Sequence, residues 1–137
     1  MKLLINLLFF VINLTVQHVS AQEQSITVSV TNATSDKGKV NFALYTKKGF
    51  LKEPLQRKSA TIKRGISTIV FDKIEQGEYA VVCYHDKNNN DIMDFEPNGM
   101  PTENYGASNN TMNFGPPKYN DAKFMLNDKN VSLEIRF

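Results

Sequence analysis

Residues 85 to 96 read His85-Asp86-Lys87-Asn88-Asn89-Asn90-Asp91-Ile92-Met93-Asp94-Phe95-Glu96. Asp86, Asn88 and Asn90 alternate, and Asp94 and Glu96 follow at even spacing. Calcium takes about six to eight oxygen ligands, and a loop supplies them only if alternate side chains converge. With Asp86 as position one of such a loop, Asn88 is position three, Asn90 five and Asp94 nine, and Ile92 at seven would offer its backbone carbonyl. Asp91 stands where these loops usually carry Gly, because the backbone there turns left-handed, a conformation Asp tolerates better than most residues. The acid expected at position twelve is replaced by Pro97, and Glu96 falls one residue early. The helix-loop-helix form is therefore excluded, and a strand-embedded variant closed by Asp94 or Glu96 remains. The expected ligands are Asp86, Asn88, Asn90, Ile92, Asp94 and Glu96. Their moderate negative charge implies a Ca2+ affinity of about 10⁻⁴ to 10⁻³ M. The competing reading is a solvated turn whose Asx side chains cap their own backbone. An ion here would be structural, since nothing nearby resembles an activated nucleophile. No catalytic residue and no organic cofactor is assigned.

Other chemistry-bearing residues carry less. His85 and Cys83 share a strand face, but two soft ligands are too few for a metal, and the other histidine, His18, lies in the leader. His85 is expected to pack, partly buried, beside the loop, and Cys83 to be an inert core thiol. Glu103 and Tyr105 could join Asp94 or Glu96 in a carboxylate pair for sugar chemistry, or could simply fix a polar loop. Tyr105, Phe114 and Tyr119 are either scaffolding or a stacking platform for a carbohydrate or peptide. Asn32, Asn109 and Asn130 begin Asn-X-Ser/Thr triplets.

The elements that position these residues read as β. Ile26–Val30 and Val40–Tyr45 alternate apolar and polar residues around the turn signal Ser35-Asp36-Lys37-Gly38. Ser59–Ile62 and Ile66–Phe71 flank Lys63-Arg64-Gly65 as a hairpin. Tyr79–Tyr84 is apolar on both faces, which indicates a central strand. Ala122–Leu126 and Val131–Phe137 form a last hairpin around Asn127–Asn130. Phe50 and Leu51 are expected to tuck onto the core. No window keeps a helical period. The fold class is all-β, a seven-stranded antiparallel two-sheet sandwich of Ig-like or transthyretin-like type. The exception is Asp86–Asp121, a long ordered excursion, which in a compact domain is commonly functional.

Residues 1–21 read as a signal peptide: Lys2, the apolar run Leu3–Val16 interrupted by Asn6 and Asn13, then Val19-Ser20-Ala21, with cleavage before Gln22. An uncleaved anchor is the alternative, but the run is short for a span of about 20 residues. No cysteine follows for lipid attachment. Residues 22–137 then form one domain, exported to the periplasm, the medium or the cell surface, with no membrane span. With one cysteine, no internal disulfide forms. The formal charge of +2 includes Lys2. Without it the domain is near neutral, with no basic block for nucleic acid or an anionic membrane.

In order along the chain, Ser35-Asp36-Lys37-Gly38-Lys39-Val40, Ala43-Leu44-Tyr45, Gly49-Phe50-Leu51, Gly77-Glu78-Tyr79-Ala80-Val81 and His85-Asp86 with its Asn-rich loop lead to Gly99-Met100-Pro101-Thr102-Glu103. Tyr105-Gly106-Ala107-Ser108-Asn109-Asn110 and Phe114-Gly115-Pro116-Pro117 follow. This series resembles the secreted bacterial family called domain of unknown function family 2141. The resemblance covers nearly the whole mature chain and implies export from a Gram-negative bacterium. It brings no activity and no catalytic residues. Asp91 departs from the Gly its relatives tend to carry. Phe71 to Gly99 is also similar to transthyretin-like and B-repeat-type sandwich modules, in which such a loop binds calcium. That resemblance implies side-chain ligation by Asp86, Asn88, Asn90 and Asp94 and a carbonyl from Ile92, with Glu96 a poorer match.

The leading expectation is a non-enzymatic module whose long loop, ordered by calcium, presents a surface to an unknown protein, peptide or carbohydrate. The alternatives are a secreted hydrolase using carboxylates among Asp94, Glu96, Glu103 and Asp121, and a small-molecule carrier with an apolar cavity in the long-loop region.

Overall fold

The computed structural model describes residues 22–111 and 114–137. The leader 1–21, with its cleavage site, lies outside the described residues. Two sheets face each other. The three-stranded sheet has the order β4-β1-β8, built from β1 (Gln24–Val30), β4 (Ser67–Ile74) and β8 (Val131–Ile135). The five-stranded sheet runs β3-β2-β5-β6, from β2 (Lys39–Tyr45), β3 (Gln56–Thr61), β5 (Gly77–Asp86) and β6 (Tyr105–Ala107). Its fifth strand, β7 (Phe124–Leu126), pairs with the start of β5. Among the described residues the helical elements are a 3-10 turn, Ser108–Asn110, and one turn of α-helix, α1 (Tyr119–Ala122). No helix there is long and apolar enough to cross a membrane.

Strand alternation decides the layers. Ile26, Val28 and Val30 from β1 meet Val40, Phe42 and Leu44 from β2, each at most 1% exposed, to form the core between the sheets. Burial of each such side chain contributes about 2 kcal/mol. β5 sends Val81, Cys83 and His85 inward and Ala80, Val82, Tyr84 and Asp86 to the sheet's outer face. It is central, pairing β2 on one side and β6 and β7 on the other. That outer face is covered too: Ala80, Tyr119 and Ala122 form a second small cluster, with Phe50 and Ala107 against it.

The sandwich differs from expectation in three ways. Among the described residues there are eight strands, because the excursion contributes Tyr105–Ala107, whose Tyr-Gly-Ala sequence carries no alternation to read. It is not wholly antiparallel: β8 runs parallel to β1, Ile26 opposite Val131 through Val30 opposite Ile135. The Asn130 side chain accepts the Ser25 N–H at 2.9 Å and so sets the two strands off side by side. Neither expected hairpin forms, because β3 and β4, and likewise β7 and β8, belong to different sheets. Lys63-Arg64-Gly65 is a turn closed by a Lys63–Ile66 bridge, after which the chain crosses the sandwich.

The open edges of β3 and β4 are joined by side chains. Lys58 donates to the Val70 carbonyl and Gln56 to that of Asp72, and Ser67 donates to the Ala60 carbonyl. An unpaired strand edge invites pairing with other chains. Filling its acceptors with side chains removes that template.

Asp36 fixes the crossing turn. Its carboxylate accepts the Arg64 and Gly65 N–H groups, each at 2.8 Å, and these bonds hold its pKa below the ordinary value. A lowered folded pKa gives stability that is present above the unfolded pKa and lost as pH falls through the folded one. The Arg64 and Gly65 amide resonances should therefore move together, with a midpoint below about pH 4. A midpoint at or above that value, or a transition retained in Asp36→Ala, would contradict the cap.

Candidate functional site

The Asp-Asn loop grows directly out of β5. Asp86, the last residue of that strand, is fully buried. One carboxylate oxygen accepts the Asn90 N–H at 3.1 Å. The other accepts the Asp91 N–H at 2.9 Å and the Asn41 side-chain amide at 3.2 Å. Asn89 and Asp91 adopt the left-handed backbone, φ 57° and 63°, so position six turns as a calcium loop requires although it is not Gly. Lys39 spans the loop from β2, its ammonium 2.5 Å from Asp91 and 3.9 Å from Asp86. The Asp91 hydrogen bond raises the Lys39 pKa above its ordinary value. Lys39 compensates for the charge that Asp91 introduces.

Asp94 closes the loop. Its carboxylate accepts the Asn88 amide at 2.8 Å and the Asn90 amide at 3.0 Å. Asn88 and Asn90 in turn cap the Asn90 and Ile92 N–H groups. Of the six residues the spacing selects, the fold links the side chains of Asn88, Asn90 and Asp94, while the Asp86 carboxylate holds the backbone of the same loop. Ile92 is exposed at the loop tip. Glu96 is exposed on a separate turn, where its backbone pairs with Gly99 and Met100. Among the described residues no three His, Cys, Asp or Glu side chains gather as a metal cluster. The loop offers two acids and two amides instead, a hard-oxygen set suited to calcium and not to zinc. The residues fit such an ion if the Asn88 and Asn90 amides turn their oxygens toward Asp94.

Glu103 is the residue the loop reading passed over. It is only 6% exposed. One oxygen accepts the Lys87 N–H at 3.0 Å and the other the Asp94 N–H at 3.2 Å, so one buried carboxylate clasps the loop at entry and exit. Its sequence neighbourhood, Pro101-Thr102-Glu103-Asn104, gives no periodic signal. Only the return of the chain shows its role: the Asn104 carbonyl accepts the His85 N–H.

Beyond the loop the excursion arches over the outer face of the five-stranded sheet. A groove of about 460 Å³ lies between them. Tyr45, Val82 and Tyr84 belong to the sheet side, and Met93, Phe95 and Met100 to the arch. Tyr105 pins the far end, donating from its hydroxyl to the Gly115 carbonyl at 3.0 Å. A second hollow of about 330 Å³ shares Tyr105 and reaches Lys118 and Arg136. No acidic side chain lines either one.

The other candidates resolve as follows. His85 is fully buried rather than partly. It stacks on Phe137, and its Nε2–H donates to the Lys37 carbonyl at 2.7 Å, leaving Nδ1 without a partner. Cys83 is buried, and burial pushes its thiol far above the ordinary range. Phe50 tucks in against Tyr45 and Tyr119, but Leu51 is exposed. Tyr105, Phe114 and Tyr119 do not make one platform. Tyr119 is buried with its hydroxyl on the Glu78 carbonyl, and Phe114 is fully exposed. The Asn32, Asn109 and Asn130 side chains are all engaged with backbone: Asn32 with Phe137, Asn109 with the Asp121 and Lys123 carbonyls, Asn130 with Ser25.

A family model described as an uncharacterized protein conserved in bacteria (DUF2141) matches residues 28–134. No curated protein and no solved structure matches the chain.

Proposed function

We propose, for a chain that belongs to the bacterial family DUF2141, an exported, non-enzymatic sandwich module whose calcium-ordered loop holds a binding groove in shape. The observation that carries this reading is the double clasp of the loop. Asp86 and Glu103, both buried carboxylates, fix the root of the excursion, and the same excursion forms one wall of the groove. Asp86, Asn88, Asn90 and Asp94 would hold the ion, which would supply only charge and rigidity. The leader 1–21 and the single buried cysteine are in keeping with export. The hydrolase alternative has weaker support: both Glu103 oxygens are engaged by backbone N–H groups, and no carboxylate faces either hollow.

A ligand that binds only the folded state raises stability by mass action. With a dissociation constant of about 1 mM, calcium at about 10 mM adds roughly 1.4 kcal/mol, a rise of about 5 °C in melting temperature. Chelator should reverse the rise, magnesium should reproduce it weakly, and Asp94→Ala should remove it. An unchanged melting temperature at millimolar calcium would refute the ion.

A further inference from the structure

Resting on that reading of the groove, we infer that it is a site for a small, uncharged, mainly apolar molecule carrying one hydrogen-bonding group, which the Tyr45 hydroxyl receives. Its volume of about 460 Å³ lies in the range of small-molecule sites, about 300 to 1,000 Å³. On the sheet side the lining side chain between Tyr45 and Tyr84 is the modest Val82. The exposed Phe95 and Met100 overhang the groove at 59% and 62% exposure, an apolar lip that water leaves unsatisfied.

The charge of the lining selects the ligand class. Among the described residues no lining residue is charged, and the Arg57 charge that reaches Tyr45 lies outside the lining, so an ionic ligand would lose its hydration with little to replace it. The hydroxyls narrow the choice further. Tyr84 accepts the Asn41 amide and Tyr105 donates to Gly115, so each has only part of its hydrogen-bonding capacity left. Tyr45 is 9% exposed, and no hydrogen bond reaches its hydroxyl among the described residues. That hydroxyl is not among the fully buried unpartnered atoms, and Tyr45 lines the groove. A sugar needs several polar partners, and the lining offers one unengaged hydroxyl and two half-engaged ones. An extended peptide adding to a sheet needs a free edge, and β5 is already paired on both sides.

The test uses N-phenyl-1-naphthylamine, a neutral apolar fluorophore with one N–H, titrated into the purified protein. A saturable rise in fluorescence is expected. Tyr45→Phe should weaken binding about threefold to tenfold, the value of one hydrogen bond. Val82→Trp should abolish it by filling the groove. Met100→Glu, on an exposed residue where folding is not at risk, should weaken it at least about tenfold by placing a charge at the lip. Val70→Phe, on the other sheet, should leave it unchanged. Absence of saturable binding, or binding indifferent to both Val82→Trp and Met100→Glu, overturns the inference. Calcium melts on the same samples separate the two claims. A calcium shift without probe binding overturns the ligand class and leaves the module standing, and loss of both overturns both.

Discussion

Gly38→Ala should destabilise the protein by about 4 kcal/mol and lower its melting temperature by about 15 °C. Gly38 has φ +73°, where a side chain costs about 1 kcal/mol. The larger part is steric. A Cβ there would sit 2.0 Å from the Asp86 carbonyl oxygen and 2.8 Å from the Lys87 Cα, both backbone atoms. Relief requires the β1–β2 turn to lift off the end of β5. That movement would open the Lys39–Asp86 pair, withdraw the Lys37 carbonyl from His85 and leave the buried imidazole with two unpartnered nitrogens. Gly99 supplies the control. Its φ is +84°, yet a Cβ there meets nothing within 4 Å. Gly99→Ala should therefore cost only about 1 kcal/mol. Equal melting temperatures for the two variants would mean that close approach to Asp86 is not what Gly38 provides.

The same contact marks where sequence reasoning stops. Alternation in Ile26–Val30, Val40–Tyr45 and Tyr79–Tyr84 placed the core and the central strand, because a half-buried strand must alternate and a doubly covered one need not. The turn signals were also readable, including the left-handed Asp91. Pairing was not. Asn127–Asn130 reads as a hairpin turn, and long-range contacts, among them the Ser25–Asn130, Thr31–Glu134 and Asn32–Phe137 bonds, hold β8 alongside β1 instead. In the site, local spacing picks out Asp86, Asn88, Asn90 and Asp94, which the fold places in one hydrogen-bonded loop. Glu96, which the spacing also selects, lies on a separate turn paired with Gly99 and Met100. The sequence offers Glu103 as a residue fixing a polar loop, but not which N–H groups it holds, because that contact closes over sixteen residues of irregular chain. The groove lay beyond the sequence too. Its floor comes from strands and its lip from the excursion, and no local motif joins the two.

Asp86→Ala should cost about 3 kcal/mol and lower the melting temperature by about 12 °C. The carboxylate serves three donors at once: two loop N–H groups and the Asn41 amide. Hydrogen bonds to a charged acceptor contribute about 1.5 to 3 kcal/mol each. Water can re-solvate the loop amides, since Asn90 and Asp91 are exposed, so the sum is not reached. Lys39 would keep its short bond to Asp91, which therefore cannot alone hold the loop in place. Hydrogen exchange at Asn90 and Asp91 should lose its protection, and the calcium shift should vanish. Glu96→Ala is the contrast: an exposed acid of the same stretch, outside the clasp, expected to change stability by less than about 0.5 kcal/mol and to keep the calcium shift. Equal effects of the two substitutions would return the loop to an ordinary solvated turn. Asp86 and Glu103 hold opposite ends of one segment, so Glu103→Ala in the Asp86→Ala background should cost less than Glu103→Ala alone, a coupling that a double-mutant cycle measures. Because that segment leads into Met93, Phe95 and Met100, either substitution should also weaken probe binding in the groove without touching a lining residue.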